Sequence, residues 1–251
     1  MNYHLDSDRI VETVQILCQR IQERFPDSGL SKTCVELHTI AKESKARCKW
    51  IRKPKIMLRL GVSIVILLIL LILLMGILIG IGTLVDSGSF QQIGFTDFLQ
   101  VLEAGMNTII LIGLALLFLI TTETRKKRKR ALTAFHQLRA LAHVIDMHQL
   151  TKDPERIFSN KKNLTASSPR QTMTAFELTR YLDYCTEMLS LVGKIAALYS
   201  QDFDDEVVLT AVNDVETLTT GLSRKIWQKI VILSRFKPQS TPNKRGIEKK
   251  T

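Results

Sequence analysis

Two stretches of this 251-residue chain lack any Asp, Glu, Lys, Arg or His: residues 60–85, 26 in a row, and residues 104–122, 19 in a row. Runs of that length without an ionisable group read as membrane-spanning helices, and they override an average composition of 45% apolar and 24% charged residues that would suit a soluble domain. Once they are set aside, about 200 residues remain for water-facing structure, enough for a helical domain but not for a large two-lobed enzyme. Catalytic signatures are missing too. There is no Gly-rich phosphate loop, no Gly-x-Ser-x-Gly, no His-Glu-x-x-His and no plausible Cys/His nucleophile pair, so an enzyme is disfavoured and no cofactor is expected. Neither strand alternation nor an internal repeat is present. More than 50 residues of polar character precede the first apolar run, so insertion is expected through that run and not through a cleavable signal peptide. None of the four cysteines (Cys18, Cys34, Cys48, Cys185) belongs to a Cys-x-x-Cys pair, and reduced thiols are the expectation. Cys34 and Cys48 share a helix face but lie roughly 21 Å apart along it, too far to bridge.

Cations are as unevenly spread as apolar residues. The net charge is +11, yet residues 86–103 contain no Lys or Arg. Arg47, Lys49, Arg52, Lys53, Lys55 and Arg59 precede the first run, and Arg125, Lys126, Lys127, Arg128, Lys129 and Arg130 follow the second. Because cations near a span are retained on the cytoplasmic side, both termini are expected in the cytoplasm of a bacterial inner membrane, with the loop on the far side. The run from Arg125 to Arg130 resembles a nucleic-acid patch in composition. No aromatic residue is interleaved, however, and its place directly after an apolar run favours an anchor on the anionic headgroups of a lipid bilayer.

Periodicity then divides the chain. Residues 1–55 read as a helical hairpin. Its first helix carries Ile10, Val14, Leu17, Ile21 and Phe25 behind the capping residues Asp6 and Ser7, and its second opens at Ser31 with a weak stripe of Cys34, Leu37, Ala41 and Cys48. Residues 56–85 hold the first transmembrane helix, and 86–103 an external loop with an interfacial helix at Phe95, Phe98, Leu99 and Leu102. The second transmembrane helix occupies 104–122. No Gly or Pro lies between Gly113 and Pro154, so this helix is expected to continue through the basic run as a juxtamembrane segment, 123–158, with Leu132, Phe135, Leu138, Ala142 and Ile145 on its apolar face. A polar linker, 159–170, leads to a strong helical pair in 171–236, and 237–251 reads as a basic disordered tail. In the pair, one stripe runs Met173, Phe176, Tyr181, Cys185, Met188, Val192, Ile195 and Tyr199. The other runs Val208, Val212, Val215, Leu218, Leu222, Ile226, Ile230 and Leu233, behind an acidic start at Asp202, Asp204, Asp205 and Glu206. The fold class is therefore an all-α integral membrane protein, a two-helix transmembrane hairpin with a cytoplasmic helical bundle built from N- and C-terminal segments. Within the hairpin, Gly76 and Gly80 form a small-xxx-small pair, and counting inward from the outer face sets Gly76 level with Gly113 as a close-packing point.

The densest polar cluster is His136, Arg139, His143, Asp146 and His148. A helical wheel puts the first four beside the apolar face and His148 on its other flank. His136, His143, Asp146 and His148 are the candidate metal or acid/base residues. The structural alternative is an Arg139–Asp146 pairing network with histidines at the rim of the bundle, since three or four convergent ligands are not in evidence. Gly105-Met106-Asn107 resembles the selectivity tripeptide of the CorA family of magnesium channels. In that family it ends the penultimate span near the end of the chain, whereas here it opens the second span, and no site is carried over. Neither span holds an ionisable residue to serve as a relay. The functional expectation is a non-catalytic scaffold, adaptor or regulatory subunit binding a protein partner or itself. An oligomeric pore and a membrane-anchored enzyme or metal site at His136 to His148 are the alternatives.

Overall fold

The structure, a computed structural model, describes residues 4–52, 60–67, 69–71, 74, 95–157, 172–201 and 203–235. The outer loop up to residue 94, most of the linker, the tail, and Gly76 and Gly80 fall outside them. Among the described residues there is no strand. The helices are α1 (Ser7–Arg24), α2 (Gly29–Arg52), α3 (Leu60–Leu71), α4 (Phe95–Leu150), α5 (Ala175–Ala197) and α6 (Glu206–Arg235), with a 3-10 turn at Pro154–Ile157. By contacts the chain divides into two compact units, one of Met1–Cys48 with Ala131–Thr251 and the other of Lys49–Arg130.

The second unit contains α3 and the first part of α4. Among the described residues α4 is the one helix long and apolar enough to cross a membrane, and none of its most apolar window is buried. The 56-residue helix runs on through the basic segment without a break, as the absence of Gly and Pro predicts. It also starts earlier than expected. Phe95 to Glu103 belong to the same helix as the apolar run. The expected first span lies only partly within the described residues, as α3.

In the first unit, α1 buries Ile10, Val14, Leu17 and Ile21, the stripe the periodicity predicts. Asp6 caps it, its side chain accepting from the Asp8 amide at 2.8 Å. The chain then reverses through Asp27, whose φ of 57° is tolerated by the short polar side chain. Ser28 accepts from the Ser31 amide at 3.1 Å and so caps α2, which therefore opens at Gly29, two residues before the expected start. Leu30, Cys34, Leu37 and Ala41 face inward. From α4 the core takes Phe135, Leu138, Ala142 and Ile145, from α5 Leu182, Met188, Leu189, Val192 and Ile195, and from α6 Val208, Val215, Leu222 and Ile226. α5 and α6 pack along one another, and α1 lies against α5.

Two sequence expectations fail here. Phe176, assigned to the inward stripe, is 57% exposed. α5 begins only at Ala175, so Phe176 lies in the first turn, outside the packed layer, where its ring carries the guanidinium groups of Arg24 at 5.5 Å and Arg180 at 5.9 Å. The expectation of reduced cysteines also fails at Cys18 and Cys34, which are joined as a disulfide with Cα atoms 5.4 Å apart, while Cys48 and Cys185 form no disulfide. They stand eight residues to either side of Pro26, so folding α2 back on α1 brings them level.

α5 starts with a capping box. The Thr174 hydroxyl oxygen accepts from the Glu177 amide at 3.2 Å, and the Glu177 carboxylate accepts from the Thr174 amide at 2.8 Å, which holds that carboxyl below its ordinary range. Replacing Thr174 with Ala should cost about 1 kcal/mol of bundle stability. A denaturant midpoint unchanged by the substitution would show that the box contributes nothing.

Candidate functional site

The sequence-nominated polar residues of α4 separate into three environments. His143 is exposed and meets no partner among the described residues. His136 and Arg139 line a cleft of about 410 Å³ whose other wall is α6, with Glu206, Thr210 and Asp214 facing them over a floor that includes Phe135. The acidic start of α6 is thus split in use. Asp205 caps the helix, accepting from the Val208 amide at 3.2 Å, and Glu206 turns to the cleft. Asp146 does not pair with Arg139. It accepts from Gln149 Nε2 at 2.7 Å, since Arg139 sits seven residues and about 10.5 Å away along the same helix.

His148 belongs to the opposite flank, as the wheel places it, and packs on the start of α2. Its Nε2 lies 3.0 Å from the Thr33 hydroxyl, and its ring occupies the space a side chain at Gly29 would need. Burial, reinforced by the Lys152 ammonium, holds this imidazole below its ordinary pKa. Beyond it α4 ends against Lys229 of α6, a residue sequence reasoning missed. Its ammonium donates to the Gln149 and Lys152 carbonyls at 2.8 and 3.1 Å, satisfying acceptors that the helix end leaves open. Burial lowers the Lys229 pKa, opposed by Asp153 and Asp146. Cys185 is buried and its thiol is pushed up to about 12 by desolvation, which makes it unreactive. Among the described residues no three His, Cys, Asp or Glu side chains gather as metal ligands.

A larger groove of about 1050 Å³ lies where α1 meets α5 and α6, with Ile10 and Leu17 on one side and Leu189, Ser190 and Thr219 on the other. In the second unit the basic run is not a uniform fringe. Lys127 is buried and pairs with Glu123 at 3.0 Å, Arg130 stacks on the Trp50 ring at 3.9 Å, and Arg125, Lys126 and Lys129 are exposed. A Cβ built on Gly113 meets nothing among the described residues, whereas one on Gly61 would come 2.6 Å from a Leu116 methyl. Gly105-Met106-Asn107 lies inside α4 as ordinary helix. No protein-family model, no curated protein and no solved structure matches this chain.

The His148 environment makes stability depend on pH. A histidine whose folded pKa lies below its unfolded value binds fewer protons when folded. Its contribution is therefore intact above about pH 6.5 and is lost as the pH falls through that value toward the lowered one. His38, lowered by burial and then by Lys42, acts in the same direction. The melting temperature should fall on acidification from about pH 7 to about pH 5.5, and His148→Gln should lessen the fall; an equal fall in wild type and variant would refute this role. Gly29→Ala should cost about 1–3 kcal/mol, because the imidazole it displaces is held by Thr33.

Proposed function

We propose that the protein is a non-catalytic integral protein of a bacterial inner membrane, a two-span hairpin with both termini cytoplasmic, whose helical bundle acts as a scaffold, adaptor or regulatory subunit. One observation carries the reading: the apolar run of α4 is left uncovered, with Leu111 68% and Phe118 69% exposed, and ends directly in the basic run. Nineteen helical residues rise about 28 Å, close to the roughly 30 Å of a hydrocarbon core. In water such a surface would be an uncompensated apolar patch far larger than soluble proteins carry.

The exposed cations Arg125, Lys126 and Lys129 suit anionic headgroups, and the Arg130–Trp50 stack suits the interfacial level where Trp is favoured. The scaffold assignment draws on the two surface clefts of the bundle, each walled by side chains from more than one helix, as a protein-binding surface requires. A homo-oligomer would use the same surfaces.

Topology and anchoring can be checked together in right-side-out membrane vesicles. A membrane-impermeant maleimide should label a cysteine placed at Ser89 and leave one placed at Thr165 untouched, and alkaline carbonate should not release the protein. The reverse labelling would overturn the orientation, and release into the supernatant would overturn the membrane span itself.

A further inference from the structure

The cleft between α4 and α6 carries charge of opposite sign on its two walls. His136 and Arg139 stand on the α4 wall, Glu206 and Asp214 on the α6 wall. Among the described residues none of these four side chains makes an ion pair or a hydrogen bond. Elsewhere on the same bundle surface opposite charges within reach do pair, as Arg20 and Glu187 do at 3.3 Å. The floor of the cleft is fixed. Phe135 is 2% exposed, with its ring edge-on to Tyr199 at 5.3 Å, so the space between the walls is held open by packing beneath it.

The order of the charges along the cleft follows from the course of the two helices. Residues 132–139 of α4 face residues 206–214 of α6, and farther on Lys229 of α6 reaches the Gln149 carbonyl of α4, so α4 and α6 run in the same direction. Arg139 and Asp214 therefore share one end of the cleft, and Glu206 stands at the other, beside Leu132. Glu206 and Asp214 are eight residues and about 12 Å apart along their helix. The surface between them includes Phe135, Val207 and Ala211.

We propose that this cleft binds a free basic α-amino acid of the lysine or arginine class. Two carboxylates and one guanidinium, with an apolar stretch between the ends, are the charge complement of a ligand that has two cations, one carboxylate and an aliphatic stem. The α-carboxylate pairs with the Arg139 guanidinium, whose fork matches it, and His136 lies one turn away on the same wall. The neighbouring α-ammonium meets Asp214. The stem crosses Phe135 and Val207, and the side-chain cation reaches Glu206. The cleft volume of about 410 Å³ falls within the range of roughly 300–1,000 Å³ usual for small-molecule sites. All the residues concerned belong to the first unit. The site therefore does not depend on the membrane topology proposed above, and it goes beyond the scaffold reading by giving one of the two clefts to a small molecule.

The test is titration calorimetry on the full-length chain in detergent at low ionic strength, with L-lysine and L-arginine as probes. Three analogues of lysine each lack one charge: norleucine has no side-chain amine, cadaverine no carboxylate, and Nα-acetyl-lysine no α-ammonium. Lysine and arginine should bind saturably, one per chain, and each analogue should bind more weakly on the order of tenfold or more. Glu206→Gln, at an exposed position, should bind lysine and norleucine equally, and Arg139→Gln should bind lysine and cadaverine equally. The analogue series on the wild type decides the question even if a variant is unstable. Absence of saturable binding of lysine and arginine would overturn the proposal, as would equal affinity for lysine and its analogues. Folded variants that kept the wild-type discrimination would overturn it too. None of these failures would touch the scaffold reading.

Discussion

The constraint on which the molecule depends is that one unbroken helix, α4, has to satisfy two different surroundings. An α-helix satisfies its own backbone hydrogen bonds, so the main chain is indifferent to whether water, lipid or protein surrounds it, and the side chains alone decide. Between Met106 and Leu119, those of Met106, Ile109, Ile110, Leu111, Leu114, Leu117, Phe118 and Leu119 are uncovered; from Ala131 to Ile145 one face is buried in a packed core. Between the two lies a short run of cations, of which Lys127 is neutralised by Glu123 one turn back. No Gly or Pro interrupts this passage, so every backbone group along it keeps its helical partner.

The bundle is closed around the second half of α4 by contacts that each join distant parts of the chain. Lys229 reaches from α6 to the last carbonyls of α4, His148 reaches from α4 to Thr33 on α2, and Cys18 reaches from α1 to Cys34. The ring of Phe25, just past α1, stands edge-on to Tyr181 at 5.4 Å. These are few, and each is partly or wholly sheltered from water, where a hydrogen bond or ring contact is worth more than on the surface. His136, Arg139, Glu206 and Asp214 instead line one open cleft between α4 and α6.

The helices themselves were legible in the residues. The stripes of α1 and α6, the uninterrupted course of α4 and the caps at Asp6 and Asp205 all follow from patterns spanning one or two turns. Where local reasoning failed, the cause was a boundary or a partner. Phe176 fits the inward period of α5, but the cap at Thr174 puts it in a first turn with nothing packed over it. Asp146 and Arg139 share a wheel sector, but not a height.

What the amino-acid order determined by itself is the set of helices, the two apolar runs and the one-sided distribution of cations, because these depend on neighbours within a few residues. Only the tertiary structure decided which cysteines meet, which carbonyls Lys229 serves and which carboxylates face His136. Cys18 and Cys34 looked unremarkable in sequence, since neither their separation nor their surroundings matched a known spacing. They become partners because the turn at Pro26 to Ser28 is tight enough to set α1 and α2 side by side with those two positions level. A pairing of that kind is a property of how two helices return on each other, and residues sixteen positions apart carry no local trace of it.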